Sequence, residues 1–201
     1  MIISGIIGLI LGVLIAPVFT PMMPWGGMMG RNNFMMGPAN TMMEEINSHF
    51  IEQMIPHHED AITMANLALT RAEHLEIKTL AGDIIKAQSE EIDQMKLWYK
   101  SWFGNNVPDL SSSMGYDMGM MMRGGMMGNE TDIKTLENAK PFDKEFIEQM
   151  IPHHQMAVMM AQMLSRSTNR PEMKRLAENI ISTQTKEINQ MREWYRAWYG
   201  N

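Results

Sequence analysis

Phe50–His58 reads FIEQMIPHH, and the same nine letters return as Phe146–His154, 96 residues downstream. Aligned at that offset without a gap, His49–Asn105 matches Glu145–Asn201 at 28 of 57 positions. Gln88, Glu91, Ile92, Gln94, Met95, Trp98, Tyr99, Trp102 and Gly104 recur as Gln184, Glu187, Ile188, Gln190, Met191, Trp194, Tyr195, Trp198 and Gly200. This is an internal duplication of two units. Two units are too few for a solenoid array, so they are expected to pack on each other.

Each copy carries the marks of a helical hairpin. Thr41-x-x-Glu44 has the form of a capping box for a first helix running to about Thr70. In copy two, Asn169-x-x-Glu172 with Pro171 in the first turn opens the second helix. Gly104 and Gly200 stand where a glycine would close each hairpin, and Pro56 and Pro152 are expected to kink or locally weaken the first helices. Two hairpins supply four apolar stripes, and an antiparallel four-helix bundle buries them economically. The expected class is therefore all-α. Its parts are hairpin copies at 41–104 and 140–201, with linkers at 21–40 and 105–139.

At about 100° per residue, with His57 at zero, Met54 falls near 60°, His58 near 100° and Met64 near −20°. Phe50, Ile51, Ala61 and Ala65 share that arc, while Glu52, Glu59, Asp60, Thr63 and Asn66 lie opposite. Both histidines therefore face the core. On the second helix Gln88 and Glu91 sit within the apolar arc of Ile84, Ile92, Met95 and Tyr99. A carboxylate on an apolar stripe needs a partner, and the neighbouring histidines are the expected ones. The same geometry holds for Met150, His153, His154, Met160, Gln184, Glu187 and Met191. A histidine on an apolar face, or a methionine at helical spacing, is most simply core packing; the recurrence of the whole group argues for more.

Composition narrows the chemistry. The chain of 201 residues has a net charge of −6 and no cysteine, which excludes disulfide scaffolds, thiolate metal sites and cysteine nucleophiles. The acidic balance argues against nucleic-acid binding. Methionine is the anomaly, at 26 residues. Six lie in the Gly/Pro/Asn-rich segment 21–40 and seven in 105–130, where composition opposes a helix. In copy two, Asp60, Thr63 and Leu67 are replaced by Met156, Met159 and Met163, a stripe on the outward side of the helix. Thioether and imidazole together select soft Cu(I), with silver as its mimic. Met156, Met159 and Met163, with Met120, Met121 and Met122 of the linker, are candidate accessory ligands. Thioethers also avoid disulfide chemistry, so the expected compartment is extracytoplasmic and oxidising, the periplasm or cell surface.

Ile2–Phe19 is an 18-residue uncharged apolar run, read here as a membrane anchor through residues 2–19, with a cleaved signal segment as the rival.

The stretches FIEQMIPHHEDAITMA with GDIIKAQSEEIDQMKLWY, and FIEQMIPHHQMAVMMA with ENIISTQTKEINQMREWY, resemble the bacterial family called domain of unknown function 305. The resemblance covers roughly residues 44–104 and 140–200. It implies a ferritin-like helical bundle, frequent export, and copper binding for tolerance by sequestration rather than catalysis. Its Met-x-x-His-His and Gln-x-x-Glu-x-x-x-Met positions fall on Met54, His57, His58, Gln88, Glu91 and Met95, and on Met150, His153, His154, Gln184, Glu187 and Met191. The family's aspartate three residues before the phenylalanine is Asp143 in copy two but Asn47 in copy one.

Rival functions have less support. A ferritin-type di-iron oxidase needs Glu-x-x-His, which is absent from the chain. A hydrolase lacks a nucleophile signature. The remaining alternative is a membrane-anchored interaction module without metal. Metal ions are the expected partners, and a copper-transfer protein or a second copy of the chain are further candidates.

Overall fold

The computed structural model describes residues 38–108 and 133–200, with side chains from Glu44 onward. Among the described residues there are five helices and no strand: α1 Pro38–Arg71, α2 Leu75–Phe103, α3 Ile133–Asn138, α4 Phe142–Ser167 and α5 Pro171–Tyr199. The four long helices form the two expected hairpins, α1–α2 and α4–α5. Their buried positions follow helical spacing, as on α2, where Ile77, Leu80, Ala81, Ile84, Gln88, Ile92, Met95 and Tyr99 turn inward.

The core has two halves that exchange under the 96-residue shift. One joins Phe50, Ile51, Met54, Ile92, Met95 and Tyr99 of copy one to Ala157, Met160, Ala161, Leu164 and Met173 of copy two. The other joins Phe146, Ile147, Met150 and Met191 to Ala61, Met64, Ala65, Ala68 and Ile77. The start of α1 thus packs against the end of α4, and the start of α4 against the end of α1. The first helices cross antiparallel about a local pseudo-two-fold axis. Each fully buried methionine or isoleucine in these layers contributes about 1.5–3 kcal/mol of transfer free energy.

Several local expectations shift. Helix α1 begins at Pro38, so Thr41 lies inside it rather than at its cap; proline at the first helical position sets φ in advance and lacks the amide that would otherwise go unpaired there. Helix α5 is preceded by Arg170 rather than Asn169, with Pro171 opening it, and Thr168 Oγ1 accepts the Arg170 amide at 3.1 Å. Gly104 adopts φ 75°, the left-handed closure expected, and its amide donates to the Lys100 carbonyl. Gly200 has φ −75° and makes no such turn. Pro56 and Pro152 lie inside α1 and α4, which run on through them. Both prolines are on the exposed side, where water can take the carbonyl left without a donor.

The short helix α3 falls within what the sequence marks as linker. Leu136 on it is fully buried in the second core half, and the Arg71 guanidinium donates to the Glu137 carbonyl, fastening α3 to the end of α1. No described helix is long and apolar enough to cross a membrane. The anchor expected at residues 2–19, the linker 21–37 and Met120, Met121 and Met122 lie outside the described residues.

Candidate metal site

The antiparallel crossing of α1 and α4 brings the two His-His pairs together at the middle of the bundle. The His57 and His153 rings meet with centroids 3.8 Å apart. His58 lies 6.5 Å from His57 and His154 6.3 Å from His153, so the four imidazoles run in one file across the seam. Two pairs read from sequence as separate groups, one per hairpin, are in contact.

The expected carboxylate partners are in place. His58 Nε2 is 2.7 Å from Glu91 Oε2, and His154 Nε2 is 2.8 Å from Glu187 Oε2. Both histidines are fully buried. A carboxylate only accepts, so the hydrogen is assigned to Nε2 and Nδ1 keeps its lone pair. This is how an outer carboxylate fixes the tautomer of a metal-binding histidine.

What the other buried nitrogens and amide oxygens face is unusual. Nδ1 of His57, His58, His153 and His154, Nε2 of His153, and Oε1 of Gln88 and Gln184 are all sealed from solvent without a hydrogen-bond partner. Gln88 and Gln184 are buried as expected but do not pair with the histidines. Native interiors satisfy nearly all such atoms; here the imidazole nitrogens gather at the middle of the bundle, while Asn47 Nδ2 and Arg170 Nε are further exceptions away from it. Burial, followed by the adjacent His58 and His154, pushes the His57 imidazole down to about 3. The same causes, burial first and then His57, His154 and His58, hold His153 well below the usual histidine range. Both rings keep a little exposed surface, yet their environment enforces the neutral form. Neutral imidazole is the ligand form.

Thioethers flank this layer on both sides. Met54, Met95 and Met160 are buried in one core half, and Met150, Met191 and Met64 occupy the equivalent places in the other. Met54 lies one helical turn before His57 and His58, and Met150 one turn before His153 and His154. Met173, also fully buried in the first half, escaped the sequence reading; its only signal is that it replaces Ile77. Among the described residues no three His, Asp or Glu side chains converge closely enough to hold an ion. The donors available at this level are imidazole and thioether. That donor set fits soft Cu(I) or Ag(I) and does not suit Ca²⁺ or Mg²⁺.

The remaining candidates lie elsewhere. Met159 is 46% exposed and Met163 64%. Met156 is not outward but half-buried, packed against the first core half; its wheel position is only about 40° from that of buried Met160.

The chain has relatives of known structure. It is 51% identical to CopM in a Cu(I)-bound form, over 77% of this chain and 98% of that one, with a TM-score of 0.66. Against apo CopM the identity is 48% over 77% of this chain and 98% of that one, with a TM-score of 0.65. A DUF305 fragment from Deinococcus radiodurans is 29% identical over 74% of this chain and 93% of its own, with a TM-score of 0.61. Among curated proteins, uncharacterized protein L153 of Acanthamoeba polyphaga mimivirus is 45% identical over 49 residues, 24% of this chain and 32% of that protein. The chain thus spans about a third of that relative's length. The family model named Domain of unknown function (DUF305) matches residues 47–195, and the chain belongs to that family.

Proposed function

We propose that this chain binds Cu(I), with Ag(I) as its chemical mimic, at the central imidazole–thioether layer, and that it sequesters the ion rather than transforming it. CopM, to which the chain is similar, has been solved with Cu(I), Cu(II) and Ag. The observation in this chain that supports the reading is the file of four imidazoles whose buried Nδ1 atoms have no partner. His57 or His58 with Met54, and His153 or His154 with Met150, would hold the ion, with Met95 and Met191 buried in the adjoining core halves. Glu91 and Glu187 orient the imidazoles. The two outer rings of the file, His58 and His154, are fixed by carboxylates, and the two inner rings, His57 and His153, are held neutral by burial. The two inner imidazoles, His57 and His153, therefore offer neutral donors to an ion. The thioether-rich, cysteine-free donor set supports work in an oxidising compartment outside the cytoplasm.

Anaerobic titration of the full chain with Cu(I) against a competing chelator tests this. His57→Ala/His153→Ala and the volume-conserving Met54→Leu/Met150→Leu are each expected to weaken binding at least tenfold. Unchanged stoichiometry and affinity in both variants would overturn the assignment.

A further inference from the structure

Among the described side chains, Met159 and Met163 are the most exposed methionines, at 46% and 64%. They stand four residues apart on one face of α4, a spacing that sets their Cβ atoms about 5–6 Å apart. Two flexible thioethers so placed can close on one ion, and soft monovalent ions accept two sulfur ligands. The duplicated fold does not demand sulfur here. The equivalent positions on α1 are Thr63 and Leu67, which carry the same helix in the same bundle. Three residues before Met159, the half-buried Met156 packs against the core half that contains Met54, Met95 and Met160. Its copy-one equivalent is Asp60. Methionines thus step from solvent at Met163 and Met159, through Met156, to the thioether layer beside the histidines, on the copy-two helix only.

We infer that Met159 and Met163 form a surface capture site for a soft monovalent metal ion, from which Met156 passes the ion to the buried centre. The inference rests on the central site proposed above and adds a direction of entry to it. A surface pair with two neutral donors exchanges its ion readily. The buried centre, with imidazole added, holds the ion more firmly, so transfer runs inward. Nothing is oxidised or reduced in the transfer.

The test uses the full metal-free chain carrying ¹³C-labelled methionine methyl groups, titrated with Ag(I). The Met159 and Met163 methyl signals are expected to shift at the earliest additions and within the mixing time, before those of Met54 and Met150. Met159→Leu/Met163→Leu keeps the apolar volume and removes both sulfurs. It is expected to load the centre at least fivefold more slowly, with the centre's final affinity and the melting temperature unchanged. Silent Met159 and Met163 methyls, or wild-type loading in the double-leucine variant, would overturn the inference. The two proposals fail separately. In His57→Ala/His153→Ala the surface methyl response is expected to persist while central uptake is lost. Persistence of both would sink the central assignment and leave the capture site standing.

Discussion

The two ends of the bundle are built on the same plan from different chemistry. At one end Asp143, 1% exposed, receives the backbone amides of Glu73 and His74 at 3.0 and 2.8 Å, and its Oδ2 lies 2.6 Å from His74 Nδ1. His74 stacks on Trp198 with ring centroids 3.7 Å apart. At the other end the equivalent residue is Asn47, whose Oδ1 accepts the Thr168 hydroxyl at 2.7 Å. Arg170 stands where His74 does, 4.0 Å over Trp102, and is clasped by both oxygens of Glu44 at 2.9 and 2.8 Å. In both cases the start of one hairpin's first helix holds the loop of the other hairpin. The difference shows how a latch can be kept while its charge moves. One end concentrates it in a buried carboxylate with several donors. The other spreads it over a half-buried surface pair and leaves a neutral amide inside.

Breaking the charged latch should cost most. Asp143→Ala strands two backbone amides and the His74 ring, and is expected to lower stability by about 3–5 kcal/mol, read as a fall in the urea midpoint at constant slope. Acidification strikes the middle, where the ends are irrelevant. His57 has its folded pKa depressed from 6.5 to about 3, and His153 shifts the same way. Below pH 6.5 the unfolded chain therefore binds more protons than the folded one. Stability is full above that pH and falls as pH drops toward 3, by at most about 1.4 kcal/mol per unit for each ring. Partial exposure and mutual coupling trim this to about 2–3 kcal/mol between pH 7 and 5 for the metal-free protein, measurable by denaturant titration at the two values. Asn47→Ala removes one acceptor from a buried position and is expected to cost about 1–2 kcal/mol. A loss equal to that of Asp143→Ala would erase the contrast between the ends. Glu44→Gln, on a pair 26% and 30% exposed, should cost only about 0.5 kcal/mol and shrink further in salt.

Helical periodicity made the faces legible before any coordinates: the buried His58 and His154, the inward Glu91 and Glu187, and their pairing. Periodicity says which side of a helix is buried but not which helix covers it. For that reason the contact between His57 and His153, the mixed core halves and the Asp143 latch, spanning about 70 residues of sequence, could not be read. The short α3 was hidden because Leu136 is its single buried anchor, too little to produce a pattern. Met156 was misplaced because it borders the apolar arc, where a wheel angle does not decide.

The α1–α4 crossing is isologous: each hairpin offers the other the same surface. Two free hairpins would meet by mass action, at a strength set by their concentration. Joined in one chain they meet at a fixed effective concentration instead, so the assembly holds at any dilution. Covalent joining also lifts the constraint of symmetry. A homodimer must carry the same residue at both ends and on both outer faces. In the fused chain Asp143 can answer Asn47, and Met159 can answer Thr63, without either change appearing twice.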